Sequence, residues 1–169
     1  MTAAATSMLL GALRIRRARA ADADRLTDIA HAAKRHWGYP VDLIHLWTAD
    51  LTIAAEFVDA HPTYAVEQGR QILGFYALSH QGGAFELEHM WIDPPHMRRG
   101  LGALLFEHAV ATARSMGGST LRIASDPYAE AFYLRMGAER GGDVPTQPAG
   151  RVLPLLIFDL GAQHGVAKA

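Results

Sequence analysis

Apolar and charged residues alternate across Leu13-Arg-Ile-Arg-Arg-Ala-Arg, the period-two pattern of a half-buried strand, and predict a first strand over 13–18. Asp22 and Asp24 then stand where a helix N-terminus favours negative charge. Leu26, Ile29, Ala30 and Ala33 follow at helical spacing, so a helix is expected to run to His36. The breaker His36-Trp-Gly-Tyr-Pro ends it, and helical periodicity resumes over Val41–Ala60 as two short helices. From Thr63 the pattern changes. Thr63–Val66 and Ile72–Leu78 are rich in β-formers and flank Gln68-Gly-Arg, which predicts a hairpin. Phe85–Ile92 reads as the next strand and stops at Asp93-Pro-Pro, because proline cannot donate to a ladder. A helix opens at Gly100, buries Leu101, Leu104, Leu105, His108 and Ala109 on one face, and ends at Gly117-Gly118. A strand at 120–124, a helix from Pro127 to Met136 and two closing strands at 138–143 and 152–160 complete an α/β chain.

The 169 residues, half of them hydrophobic, suffice for one core, so a single domain is expected over 13–160 between a leader at 1–12 and a tail at 161–169. A formal net charge of −1 offers no surplus of cations for binding nucleic acid nonspecifically. No apolar stretch approaches the length of a membrane helix. The apolar run up to Leu13 has no basic residue before it, so an export signal is not expected and the cytoplasm is the default location. The absence of cysteine removes disulfides, thiolate metal sites and a cysteine nucleophile. The histidines show no metal-ligand spacing, so no metal is expected, and no serine sits in Gly-x-Ser-x-Gly.

Chemistry concentrates after strand 85–92, where Arg98 and Arg99 precede Gly100-Leu-Gly102 at a helix start. Unpaired amides and the helix dipole suit such a start to a phosphate or diphosphate, with the arginines adding charge-assisted contacts. Taken alone, Gly-x-Gly is equally a tight turn. Leu105 occupies the third glycine position of a dinucleotide fingerprint and no Gly-Lys-Ser/Thr occurs, which disfavours NAD and ATP.

The ungapped run Ile92-Asp-Pro-Pro-His-Met97-Arg-Arg-Gly100-Leu-Gly102, followed downstream by Ala129-Glu-Ala-Phe132-Tyr133-Leu-Arg-Met-Gly137-Ala138, resembles the GNAT acyl-CoA N-acyltransferases. The order of elements from 13 to 160 resembles that family too, and His36-Trp-Gly-Tyr with Arg151-Val-Leu-Pro-Leu-Leu resembles a bacterial subgroup. The resemblance implies a mixed, mostly antiparallel sheet of about seven strands flanked by helices, and acetyl-CoA as donor. It implies coenzyme contacts from Met90, Trp91 and Ile92, from the loop Met97, Arg98, Arg99, Gly100, Leu101, Gly102 and Ala103, and from Asp126, Ala129 and Phe132. The pantetheine arm would bond to the backbone of Met90–Ile92 like an added strand. Three departures stand out: Met97 replaces the usual arginine or glutamine, Asp126 the usual asparagine, and Ala138 a common aromatic.

Direct attack by an acceptor amine needs one base and one acid. Tyr133 matches the position from which the family protonates the coenzyme sulfur; the alternative is an aromatic packing helix on sheet. Glu86 and Glu88 share a strand face with Met90, and either serves as base or both are plain strand carboxylates. His89 falls on the opposite face, which favours a core or surface histidine over a base. His36, Trp37 and Tyr39 are expected to line the acceptor pocket or to form a structured loop. The acceptor is an amine on a small molecule or peptide, and a homodimer is compatible with the chain. A noncatalytic acyl-CoA-binding or sensing module is the other reading, with Met97 as its support.

Overall fold

The computed structural model describes residues 12–162, so the expected leader and tail lie outside the described residues apart from Ala12, Gly161 and Ala162. Seven strands form one mixed sheet in the order β1-β2-β3-β4-β5-β7-β6. They are β1 (Leu13–Arg17), β2 (Thr63–Gln68), β3 (Gln71–Gln81), β4 (Ala84–Ile92), β5 (Thr120–Ala124), β6 (Glu139–Thr146) and β7 (Arg151–Asp159). The helices are α1 (Ala23–His36), α2 (Val41–Leu46), α3 (Thr48–Leu51), α4 (Ala55–Ala60), α5 (Leu101–Ser115) and α6 (Glu130–Arg135). Pairing is antiparallel for β1–β2, β2–β3, β5–β7 and β6–β7 and parallel for β4–β5.

The chain divides into two compact units, one built from residues up to Ala77 with His89–Phe106, the other from Leu78–Glu88 with Glu107 onward. In the first, the α1 stripe Leu26, Ile29 and Ala30 packs with Ile44, Trp47, Leu51, Val58, Ala65 and Phe75. Three short helices stand where two were expected. The chain breaks after α3 because Ile53 is itself a core residue, and the Thr27 hydroxyl accepts the Ile53 N–H at 2.9 Å, replacing the helical bond lost there. Gly74 of β3 lies so close to β4 that a Cβ would meet the Trp91 carbonyl oxygen at 2.8 Å and the Ile92 side chain at 2.7 Å. It fixes the course of the last residues of β4.

In the second unit Leu78, Phe85, Leu121, Ile123, Leu156 and Phe158 are buried. The parallel ladder pairs Ala84, Phe85 and Glu86 with Thr120, Leu121 and Arg122, and the rest of β4 lies beyond it. Helix α6 begins later than its proline suggests. Asp126 draws the chain into a turn, its carboxylate accepting the Tyr128 N–H at 3.0 Å and its carbonyl the Ala129 N–H at 2.9 Å. Strands β6 and β7 pair past a bulge at Gly141 to Thr146 and Arg151, which shortens the connecting loop relative to the sequence pattern. Among the described residues no helix is long and apolar enough to cross a membrane.

Candidate functional site

The first unit carries the loop after β4. A single 3-10 turn, Pro94–His96, leads to Met97, whose N–H donates to the Pro94 carbonyl at 3.2 Å. Amides available to a ligand therefore begin at Arg98. Arg98 is the one described non-glycine residue with positive φ, 63°, and Gly100 follows at 79°. The left-handed conformation costs a residue with a Cβ about 1–2 kcal/mol, and strain of that kind collects at ligand-binding turns. Two reversals within three residues turn the chain abruptly into the 15-residue α5. Its first intrahelical bond runs from Leu104 N–H to Gly100 O, so the N–H groups of Gly100, Leu101, Gly102 and Ala103 have no acceptor within the helix. A Cβ at Gly100 would meet nothing within 4 Å, and Arg98 and Arg99 are exposed. Amides without a helical acceptor, a positive helix end, open space and two guanidinia suit a diphosphate.

Met90, Trp91 and Ile92 are half-buried, and the Trp91 ring packs on the core. The Trp91 indole N–H donates to His89 Nδ1 at 3.3 Å, and His89 lies against Phe57 and Phe75. His89 is thus half-buried among aromatic rings. In the α1–α2 connection His36 is exposed and stands edge-on to Trp37, 5.5 Å between centroids. Tyr39 turns inward, edge-on to buried Trp47 at 5.1 Å. Lys34, only 7% exposed, sets its ammonium 4.6 Å from the Tyr39 ring and 4.4 Å from the Trp47 ring. Those contacts are cation–π interactions and they pin the loop.

The second unit carries the candidate acid and bases. Tyr133 is buried, and its backbone N–H donates to the Ala129 carbonyl at 3.3 Å. Burial, with the Asp126 charge second, pushes its phenol far above the usual value, so it is neutral at every physiological pH and keeps a proton to donate. Phe132 stands edge-on to it at 5.1 Å. Glu86 is half-buried on β4, and desolvation raises its carboxyl above the usual range. Arg122, 3.1 Å away and opposite it in the parallel ladder, pulls the other way, and Glu88 adds a smaller upward push. Glu88 is exposed and accepts a short hydrogen bond from the Ser79 hydroxyl. No group of three or more metal-ligating side chains occurs among the described residues.

A model of the Acetyltransferase (GNAT) family matches residues 24–138, more than half the chain. The chain belongs to the GNAT acetyltransferase family. Its fold is similar to that of PaiA N-acetyltransferase from Thermoplasma acidophilum in complex with coenzyme A (TM-score 0.75, 15% identity, 88% of this chain and 99% of that one). It is similar to the ribosomal-protein-S18-alanine N-acetyltransferase from Escherichia coli (TM-score 0.67, 18% identity, 92% and 99%). A GNAT family acetyltransferase from Brucella melitensis in complex with acetyl-CoA gives a TM-score of 0.60 at 23% identity, covering 84% and 95%. No curated protein matches the sequence.

Within this GNAT chain, sequence reasoning missed four side chains that set the environment of the candidate residues: Lys34, Trp47, Ser79 and Arg122. Lys34 ends the apolar stripe of α1 four positions beyond Ala30 and eight beyond Leu26, a helical spacing that signals burial. Arg122 and Ser79 carry no such signal, because their partners are set by strand pairing.

Proposed function

We propose that the chain transfers an acetyl group from acetyl-CoA to a primary amine, the amine attacking the thioester directly. The observation that carries this reading is the left-handed Arg98 and Gly100 turn opening α5, whose free amides and flanking guanidinia fit the diphosphate of the coenzyme. Bound acetyl-CoA supplies an acyl carbon already activated by its thiolate leaving group. The residues of this chain then have three tasks. Arg98 to Ala103 hold the diphosphate, and Met90, Trp91 and Ile92 offer backbone groups to the pantetheine arm in the manner of an added strand. Glu86 or Glu88 takes the proton that the amine must lose, directly or through water. Tyr133, kept protonated by its buried surroundings, donates to the departing sulfur. His36, Trp37 and Tyr39 are assigned to the acceptor side, where the Lys34 contacts hold Tyr39 in place. Asp126, Ala129 and Phe132 set the turn and the helix that present Tyr133.

Free thiol release from acetyl-CoA, measured against small amines, amino acids and peptides with free N-termini, tests the reading while calorimetry follows coenzyme binding in parallel. Binding with turnover on at least one class is the expected result. Binding without turnover on any of them replaces it with the noncatalytic acyl-CoA-binding module, and no heat with either coenzyme A or acetyl-CoA overturns both.

A further inference from the structure

A second candidate binding site lies in the first unit, on residues with no part in the reading above. An open groove of about 1130 Å³ runs between β1, the turn before α1, the β2–β3 hairpin and Asp93. Arg14, Arg16, Arg19, Arg25 and Arg70 line it, five of the 16 basic residues of the chain. Three carboxylates face them, Asp22, Glu67 and Asp93, so the groove keeps two positive charges in a chain whose formal net charge is −1.

The arrangement of the charges matters more than their count. The carboxylates are sunk, with side chains 13%, 8% and 13% exposed, and each is paired with an arginine of the groove. Glu67 accepts from Arg14 Nε at 3.1 Å and Arg16 Nε at 2.7 Å. Asp22 takes both terminal nitrogens of Arg16, at 2.8 and 3.1 Å, and Asp93 accepts from Arg25 Nη2 at 2.6 Å. Arg16 is locked between two acids, whereas Arg14, which gives Nε and Nη2 to Glu67, has a 68% exposed side chain. Arg19 and Arg70 have no carboxylate within ion-pair range among the described residues. The acids thus act as a floor that orients the inner guanidinia, and the forks of Arg19 and Arg70 remain for a ligand. Planar forks match phosphate oxygens two at a time, and several of them match linked phosphates better than a single one. The volume exceeds what one phosphate fills.

We propose that this groove binds a small molecule bearing linked phosphates, an oligophosphate or a nucleoside polyphosphate. The test is calorimetric titration of the full chain with tripolyphosphate and with ATP, each with and without saturating coenzyme A, for the native protein and for Arg19→Gln/Arg70→Gln. Both arginines are exposed, so the double variant is expected to fold. Tripolyphosphate is expected to bind with coenzyme A present, and the double variant to lose about tenfold or more in affinity, since it removes two sets of charge-assisted hydrogen bonds. Coenzyme affinity should stay within about twofold. Equal binding of ATP identifies the phosphate chain as the ligand, and much tighter binding of ATP identifies a nucleotide. Absence of binding by either, displacement of tripolyphosphate by coenzyme A, or an unchanged affinity in the double variant overturns the proposal, as does binding of an oligothymidylate where both small ligands fail. If coenzyme A itself gives no heat, the acetyltransferase reading fails while the comparison of variants still decides the groove.

Discussion

Tyr133 is buried by the same aromatic character that makes a phenol a usable acid. Its burial removes water that would favour the phenolate, so the group is held in the form that donates. Tyr133→Phe is expected to lower thiol release about 100-fold, the usual scale for loss of a positioned acid, with coenzyme affinity by calorimetry unchanged. The two glutamates differ in a way that pH resolves. Glu86 sits above the ordinary carboxylate range through desolvation, and a base with that shift gains activity as pH rises through its elevated pKa. Glu86→Gln should therefore remove the acidic limb of the pH–rate profile, whereas Glu88→Gln should leave it; the reverse pattern assigns the base to Glu88. Tyr133 stands out in the sequence because the role proposed for it attaches to a local motif. The Arg122 contact does not, because a register between β4 and β5 puts it opposite Glu86.

Two glycines do different work at the level of the elements. Gly100 supplies a left-handed turn, and alanine there would be strained by about 1–2 kcal/mol or would swing the first amides of α5 out of line. Gly100→Ala should weaken coenzyme binding about tenfold in calorimetry, with less effect on thermal unfolding in the absence of coenzyme. Gly74 instead permits close approach of β3 to the Trp91 carbonyl. Element positions were legible wherever one periodicity ran uninterrupted, as in α1, β5 and α5. They drifted where a tertiary group intervened. Thr27 split the helical segment at Ile53, and Asp126 held 127–129 in a turn that the proline pattern assigned to a helix.

Across the whole molecule, binding of coenzyme couples to unfolding by mass action. At a concentration about 100 times its dissociation constant, coenzyme A should stabilise the fold by about 2.7 kcal/mol, raising the thermal midpoint by roughly 5–10 °C in differential scanning fluorimetry. Acid acts through the groove network. Hydrogen bonds from Arg16 hold Asp22 below the usual carboxylate range, and those from Arg14 and then Arg16 do the same for Glu67. A depressed folded-state pKa contributes stability that is present above about pH 4 and lost as pH falls through the folded value. Glu86 runs the opposite way, since its raised pKa favours the protonated form in the fold. Chemical denaturation from about pH 6 to pH 3 should show falling stability, and Glu67→Ala should cost roughly 3 kcal/mol near neutrality and flatten that fall, because it leaves Arg16, 16% exposed, with one of its two acids.

Periodicity and local motif by themselves determined the order of strands and helices, the glycine turn that opens α5 and the place of Tyr133 on α6, all of which depend on residues near one another in the chain. Only the tertiary structure decided which charges meet. Arg122 faces Glu86, Arg14 and Arg16 share Glu67, and Lys34 lies on Tyr39 and Trp47. Strand register and helix packing create those pairs. Charge–charge and cation–π energies depend on separations of a few ångströms, which no spacing along the chain encodes.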